Sequence, residues 1–207
     1  MASLYDRWIL PKLLTCACSS PPMMKQRDKI VPKAEGRVLE LGVGMGLNLR
    51  FYDPAKVTEV LGVDPAPELR DIALAAERDP NLKVDVLDGA AESLPFADKS
   101  FDTVVCTFTL CSVCSPQAAL AEARRVLKPG GRFLFCEHGL SPDPKLAKWQ
   151  HWWEPLWKRM AGGCHLTRPV SSAIAANGFK VDQVETMYVP GTPKIAAWNE
   201  WGSATPA

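Results

Sequence analysis

Short apolar segments alternate with amphipathic ones from residue 37 onward. The apolar segments predict five β-strands: Arg37–Leu41, Glu59–Val63, Lys83–Leu87, Phe101–Phe108 and Arg132–Glu137. Between them, apolar residues on one face predict helices over Glu68–Arg78 and Ala118–Leu127. Ser115 is placed to cap the second helix, Pro116 suits its first turn, and the sequence KPGG ends it. This alternation indicates a parallel sheet with helices on both faces.

The pattern changes after the fifth predicted strand. Residues 139–166 form a tryptophan-rich insertion, which we expect to overhang the ligand side of the sheet. Arg168–Asn177 is predicted to be a helix ended by Gly178. Two further strands, Lys180–Met187 and Ile195–Ser203, are predicted to close the sheet as an antiparallel pair. Such a pair is not the usual ending of a dinucleotide-binding fold.

Length and composition favour one domain, 1–207, in which residues 1–35 form an N-terminal helical lid and connector. A net charge of +1 provides no general attraction for nucleic acid. The apolar run Trp8–Cys18 contains Pro11 and Lys12 and is too short to span a membrane, so we expect no integral membrane segment. Peripheral contact with a membrane stays open. Seven cysteines without disulfide-framework spacing favour a reducing compartment, and we expect a cytoplasmic protein.

The first predicted strand runs into a glycine-rich turn, VLELGVGMGLNL, with Gly42, Gly44 and Gly46 at every second position. The dinucleotide fingerprint is G-x-G-x-x-G, and the alternative without a ligand is a tight strand-to-helix turn. Asp64 closes the second strand, where a carboxylate can accept both hydroxyls of a ribose, in NAD as well as in S-adenosylmethionine (SAM). Glu40 separates the two cofactors, because a carboxylate there would repel a pyrophosphate and would suit the cationic end of SAM.

Four segments in order, VLELGVGMG, LGVDP, DGAAESLPFADKSFDTVV and ARRVLKPGGRFLF, resemble the successive motifs of class I SAM-dependent methyltransferases. The resemblance covers roughly residues 37–135. It implies an α/β, Rossmann-like fold whose mostly parallel seven-stranded sheet has helices on both faces and an antiparallel C-terminal strand. The segments VVCTFTLCSVCSP, EH and WQHWWEPLWKRMAGGCHLTR are similar to vertebrate methyltransferase-like enzymes that methylate small thiols, and to bacterial relatives often labelled phospholipid N-methyltransferases.

The resemblance also implies which residues hold SAM. The methionine end would be lined by Glu40, Gly42, Gly44 and Gly46. Asp64 would hold the ribose, with Pro65 beside the adenine, and the adenine edge would lie along Gly89, Ala90 and Glu92. The sulfonium would lie above Thr107 and Thr109. Two departures stand out. Met45 replaces the usual small residue between the last two glycines, and the N-terminal membrane anchor of the vertebrate enzymes is not seen, which puts lipid substrates in doubt.

Residues for the acceptor lie after the fifth strand. His138 is the first candidate for a base or a substrate orienter, with a hydrogen-bonded structural histidine as the alternative. The further candidates are His151 and His165 for catalysis, and Trp149, Trp152, Trp153 and Arg168 for substrate binding. The tryptophans have helical spacing, which fits packing against the sheet or a lid over an apolar pocket. Arg168 either binds a substrate anion or pairs with a carboxylate.

The cysteine pairs could in principle form a zinc site, since Cys111 and Cys114 read C-x-x-C and Cys16 and Cys18 read C-x-C. They could also hold a soft metalloid substrate. Neither pair has the context of a zinc ribbon, so we expect buried thiols and no metal.

These observations predict a SAM-dependent methyltransferase that acts on a small apolar molecule, first a thiol, and releases S-adenosylhomocysteine. Methylation of an amine or phospholipid head group is the second hypothesis, and of a quinone-type ring carbon or a hydroxyl the third. A SAM-binding module without catalysis and an NAD-dependent oxidoreductase are the alternatives from other classes.

Overall fold

The computed structural model describes residues 17–207. The helix predicted from the segment LYDRWILPKLL and the thiol of Cys16 therefore lie outside the described residues. The connector that follows contains helix α1, Pro21–Asp28, and a 3₁₀ turn over Val31–Lys33.

Seven strands form one sheet in the described chain, in the spatial order β3-β2-β1-β4-β5-β7-β6. Their bounds are β1 Gly36–Leu41, β2 Val57–Asp64, β3 Val84–Asp88, β4 Phe101–Thr107, β5 Leu127–His138, β6 Phe179–Tyr188 and β7 Trp198–Pro206. Strands β1 to β5 are parallel, whereas β7 pairs antiparallel with both β5 and β6. The predicted fold class is confirmed.

The remaining helices are α2 Pro67–Leu74, α3 Pro116–Val126, α4 Pro144–Met160 and α5 Val170–Ala176. The predicted cap of α3 is present, because the Ser115 side chain accepts a hydrogen bond from the backbone N–H of Ala118. Helix α2 is shorter than predicted, since Arg78 donates to the carbonyl of Leu74 and fills the end of the helix. Pro80, soon afterwards, disfavours helical backbone at the residue before it.

The starts of two strands differ most from the prediction. The KPGG segment ends α3 but belongs to β5, which pairs with β4 on both sides of a register shift. The last strand begins three residues later than predicted, because Lys194–Ala196 forms a 3₁₀ turn before Trp198.

Alternate residues of the strands face two hydrophobic layers. Leu39 of β1 packs with Phe133 of β5 and with the helices α3 and α5 on one face. Val38 and Leu134 point to the other face, where the segments after α1 and after β1 cover the sheet. The parallel strands therefore end side by side between two covered faces, and the loops that follow them form a common edge.

Helix α4 is attached to this edge by a polar anchor. Gln150, its only buried residue, donates to the carbonyls of Gly139 (3.1 Å) and Ile195 (2.9 Å) and accepts from the N–H of Ser141 (2.8 Å). No helix within residues 17–207 has the length and apolar character that a membrane crossing requires.

Candidate active site

The glycine-rich turn has a backbone that only glycine adopts easily. Gly42, Gly44 and Gly46 all have positive φ, at 64°, 54° and 73°. A Cβ on Gly42 would lie 2.5 Å from Oγ1 of Thr109, and one on Gly46 would lie 2.8 Å from Cβ of Ala76. A Cβ on Gly44 would instead have no atom nearer than 3.9 Å. The turn is thus closely packed on two sides and leaves open space beside Gly44, where a ligand can approach the backbone.

Asp64 fixes this turn from the end of β2. Its Oδ2 accepts the N–H of Gly44 at 3.0 Å and its Oδ1 accepts the N–H of Ala66 at 2.9 Å. Each oxygen keeps a second lone pair, so the carboxylate can still accept ribose hydroxyls. Pro65, beside it, is exposed and can lie against a flat ring.

Glu40 lies buried below the turn. Its two oxygens accept hydrogen bonds from Nδ2 of Asn48 (2.9 Å) and from the hydroxyl of Tyr52 (2.7 Å). Burial raises the pKa of Glu40 from 4.5 to about 7, even though both hydrogen bonds and the positive charge of Arg27 act in the opposite direction. A cationic ligand would favour the ionised form of this carboxylate.

Arg27, which sequence reasoning missed, brings a buried positive charge to the same network. Its Nη1 donates to Oδ1 of Asn48 (3.0 Å) and to Oγ1 of Thr107 (2.6 Å), and its guanidinium lies 5.0 Å from the ring centre of Phe108. Its Nε is buried and has no hydrogen-bond partner in the described structure. An unpaired donor on a buried cation fits a ligand carboxylate. In the sequence, Arg27 looks like any surface residue of a polar segment.

The residues predicted along the adenine edge have mixed roles. Ala90 forms an isolated bridge with Ser93, and a Cβ on Gly89 would make only ordinary contacts, the nearest at 3.5 Å. Glu92 accepts the backbone N–H groups of Cys114 (2.8 Å) and Ser115 (3.3 Å), so it fastens the loop before α3.

Glu137 organises the loop after β4. Its fully buried carboxylate accepts the N–H groups of Thr109 (2.7 Å), Leu110 (3.0 Å) and Cys111 (3.3 Å). Burial raises the pKa of Glu137, and these backbone hydrogen bonds oppose the rise. Thr109 also donates from its hydroxyl to the carbonyl of Leu41 (3.0 Å), which joins this loop to the glycine-rich turn.

A cluster of two thiols and an imidazole lies at this loop. Nε2 of His138, at the end of β5, is 2.9 Å from Sγ of Cys164, and the ligand atoms of Cys111, His138 and Cys164 all lie within 4.8 Å of one another. We call these three residues the Cys-His-Cys cluster. Hydrogen bonding with Cys111 and the nearby charge of His138 lower the pKa of Cys164 against the effect of burial. Cys164 in turn raises the pKa of His138, although burial of the imidazole acts in the opposite direction.

The other predicted polar residues do not join the cluster as reacting groups. Arg168 donates to the carbonyls of Leu110 and, at 2.8 Å, Val113, so its guanidinium holds the loop that carries Cys111. His165 pairs through Nδ1 with Glu154 of α4 at 2.6 Å. His151 is exposed on α4. Of the three predicted histidines, His138 alone belongs to the cluster.

The predicted tryptophans separate into two groups. Trp149 and Trp152 are 56% and 67% exposed, which does not fit packing against the sheet. Trp153 lines an apolar cavity of about 350 Å³ together with Trp157, Met160 and Ile195. We call this space the apolar recess. Trp157 is also near enough to Cys164 to lower the pKa of that thiol, after the larger effects of Cys111, burial and His138. It therefore borders both the recess and the cluster.

The residues around the glycine-rich turn fit SAM. Glu40 suits its ammonium group, the unpaired Nε of Arg27 suits its carboxylate, and Asp64 suits its ribose. The open space beside Gly44 leaves the backbone accessible to the methionine portion.

Comparison with known proteins identifies the family. Residues 39–135 match the methyltransferase domain family. The chain is 40% identical over 155 residues to the rat thiol S-methyltransferase TMT1B (73% of this chain, 63% of the relative). It is 35% identical over 146 residues to the demethylmenaquinone methyltransferase of Thermus thermophilus (70% and 64%). Each alignment thus spans less than two thirds of the relative's length.

A solved structure with SAM bound shares the fold. The geranyl diphosphate methyltransferase in complex with SAM superposes with a TM-score of 0.67 at 14% identity, over 89% of this chain and 86% of that one. This likeness shows the fold, and the motif order and the related sequences assign the family. The chain belongs to the class I SAM-dependent methyltransferases, and SAM is its cofactor.

Proposed function

We propose that this protein is an enzyme that transfers the methyl group of SAM to the sulfur of a small apolar thiol. The observation that carries the proposal is the Cys-His-Cys cluster, which lies at the carboxyl ends of β4 and β5 beside an apolar recess. The 40% identity to a thiol S-methyltransferase supports the same acceptor. A cytoplasmic location, inferred from the cysteine content, is part of this proposal.

On the cofactor side, we assign three charged residues to SAM. Glu40 binds the ammonium group, Arg27 binds the carboxylate and Asp64 binds the ribose. Gly42, Gly44 and Gly46 let the backbone approach the methionine portion, and Thr107 and Thr109 lie on the sulfonium side. SAM supplies an activated methyl group when it is bound.

The chemical task left to the protein is to align a sulfur with that methyl group and to keep the sulfur deprotonated. Alignment alone can contribute about 7–11 kcal/mol to lowering the barrier. The thiol loses its proton, a new S–CH₃ bond forms, and the bond between the methyl carbon and the sulfonium breaks. We assign the acceptor thiolate to the Cys-His-Cys cluster, where the acceptor sulfur would lie beside His138.

The apolar recess binds the rest of the acceptor. Its volume of about 350 Å³ suits a small molecule, and the side chains that line it are Trp153, Trp157, Met160 and Ile195. Trp157 borders both the recess and Cys164, so an acceptor held in the recess would have its sulfur near the cluster. Trp149 and Trp152 lie outside the residues that line this space.

Transfer of labelled methyl from SAM tests the proposal. A simple apolar thiol, a matched amine and a phospholipid are offered in parallel, and we expect label on the thiol alone. His138→Ala should reduce turnover at least tenfold and leave SAM affinity unchanged, whereas the control His151→Ala, on the exposed face of α4, should match the wild type. Label on the amine or the lipid would overturn the thiol acceptor, and equal turnover in both variants would overturn the role of His138.

A second candidate, methylation of a quinone ring carbon, is favoured by the similarity to a demethylmenaquinone methyltransferase. It predicts label on demethylmenaquinone and none on the thiol. SAM binding with no label on any acceptor would instead support a binding module without catalysis.

A further inference from the structure

We propose that the Cys-His-Cys cluster binds a thiophilic divalent cation of the zinc class and leaves one coordination position open for the acceptor sulfur. The open position for the acceptor sulfur rests on the proposed thiol methyltransferase function, whereas binding of the cation does not. The sequence alone led us to expect no metal, because neither cysteine pair has the context of a zinc ribbon. The structure instead brings together Cys111, His138 and Cys164, which lie far apart along the chain.

The ligand types match this class of cation. Zinc in proteins is bound by thiolate sulfur and imidazole nitrogen, and two cysteines with one histidine form a known three-ligand set. Structural zinc sites have four protein ligands, while three protein ligands and one open position are typical of catalytic sites. Within residues 17–207, the Cys-His-Cys cluster is the group of three ligating side chains close enough to share an ion.

The spacing is near that of a tetrahedral site. With bonds of about 2.3 Å to sulfur and about 2.0 Å to nitrogen, tetrahedral ligands lie about 3.5–3.8 Å apart. The three ligand atoms lie within 4.8 Å of one another, and Nε2 of His138 is 2.9 Å from Sγ of Cys164. These separations differ from the tetrahedral values by about 1 Å or less, a difference that side-chain rotations can remove.

The backbone of two ligands is already fixed. Cys111 donates its N–H to Glu137 (3.3 Å) and accepts the N–H of His165 at its carbonyl (2.8 Å). His138 lies at the end of β5, in register with Asn199 of β7. Holding ligands in place before binding reduces the entropy that binding costs.

The imidazole of His138 is not fixed in the way that a structural histidine is. One ring nitrogen contacts Cys164, and the other, Nδ1, is buried with no hydrogen-bond partner in the described structure. Nε2 is therefore the ring atom that faces the thiols and would bind the cation. Because no hydrogen bond within residues 17–207 holds the ring at Nδ1, Nε2 can turn from Cys164 toward a cation that both thiols share.

An ion here would serve methyl transfer directly. The acceptor R–SH would bind at the open position as thiolate and release its proton to solvent. The thiolate sulfur would then take the methyl group of SAM, and the products would be R–S–CH₃ and S-adenosylhomocysteine. The neutral thioether is a weaker ligand than the thiolate, which favours its release.

Cobalt(II) provides a spectroscopic test that does not depend on activity. The full chain, purified in reducing buffer, is titrated with Co²⁺, and we expect the absorption band of thiolate-to-cobalt charge transfer. Cys111→Ser and Cys164→Ser should each weaken Co²⁺ binding by more than about 100-fold, since even residues that only support a ligand change affinity 10–100-fold. Circular dichroism confirms that the variants are folded.

Cys114→Ser is the matched control, because Cys114 lies in the same loop as Cys111 but is exposed. It should leave the charge-transfer band unchanged. Absence of the band in the wild-type protein, or an equal band in Cys164→Ser, would overturn the metal site. Burial raises the pKa of Cys18, and Cys164 adds a smaller increase, so the two thiols lie near each other. Loss of the band in Cys18→Ser would show a fourth protein ligand and overturn the open position.

The acceptor position is tested by adding an apolar thiol to the cobalt-loaded protein. A change in the visible cobalt bands with the thiol, and none with the matching thioether, is expected. No change with the thiol would overturn the open position. Methyl transfer is measured separately. An intact cobalt band without thiol methylation would overturn the proposed function and support the metal site. Thiol methylation without the band would overturn the metal site and support the proposed function.

Discussion

Glu40→Gln is expected to stabilise the protein at alkaline pH while it impairs cofactor binding. The pKa of Glu40 rises from 4.5 to about 7 on folding because the carboxyl is buried. The protonated carboxyl therefore stabilises the fold fully below pH 4.5, and this stability is lost as the pH rises to about 7. A pKa difference of this size corresponds to about 3 kcal/mol. Glutamine keeps the shape and the hydrogen-bonding capacity, so the variant should be about 3 kcal/mol more stable near pH 8 and close to wild type near pH 5.

Urea unfolding of both proteins at about pH 5 and pH 8 measures this difference. Glu77→Gln is the control, because the side chain of Glu77 is 77% exposed and pairs only with Arg50 on the surface. Its effect should stay within about 0.5 kcal/mol at both pH values. The reasoning would be refuted if the free energy of unfolding changed equally in wild type and Glu40→Gln between the two pH values. That result would mean that ionisation of Glu40 does not destabilise the fold.

The same carboxyl predicts how SAM binding depends on pH. If the ionised Glu40 pairs with the ammonium group of SAM, affinity should fall about tenfold for each pH unit below 7. Calorimetry should find this slope in the wild-type protein and none in Glu40→Gln. A wild-type affinity that is independent of pH would place Glu40 outside the ammonium site.

Three further substitutions test the cofactor and acceptor sides separately. Asp64→Ala should abolish SAM binding in calorimetry while circular dichroism shows an intact fold; retained affinity would show that the cofactor site is misplaced. Gly44→Ala should cost about 1–2 kcal/mol in urea unfolding because φ is 54°, and should weaken SAM binding by filling the open space. Arg168→Met should lower the free energy of unfolding by about 1–3 kcal/mol, because it leaves two carbonyls of the Cys111 loop unpaired. It should reduce turnover without changing SAM affinity. A weaker SAM affinity would contradict the separation of the acceptor side from the cofactor side.

Local sequence signals predicted most of the fold. Each of the seven strands has its counterpart in the sequence pattern, and the Ser115 cap is present as predicted. The errors lie at boundaries. Arg78 ends α2 through a side-chain contact that spans four residues, whereas pairing with β4 extends β5 back through KPGG. The pairing with β4 is a tertiary contact and has no local pattern.

The cofactor side of the site was easier to predict than the acceptor side. Gly42 and Gly44 lie in one short motif whose geometry is local. Asp64 ends the neighbouring strand, where its carboxylate accepts the N–H of Gly44. Arg27 and Cys164 reach the site from distant segments, and their burial is visible only in the folded chain. Arg168 has the residue type of an anion binder, yet it serves the loop, since sequence does not show which carbonyls need a donor.

Thr109 connects the cofactor side of the site with the acceptor side. Its hydroxyl is bonded to the backbone at the start of the glycine-rich turn, and its N–H is bonded to Glu137, which also holds the loop of Cys111. A shift of the turn when cofactor enters or leaves would reach the acceptor loop through Thr109. Any such coupling must act equally in both directions, so an acceptor that tightens cofactor binding is itself bound more tightly when cofactor is present. Exchange of S-adenosylhomocysteine for fresh SAM would then depend on whether the thioether has already left.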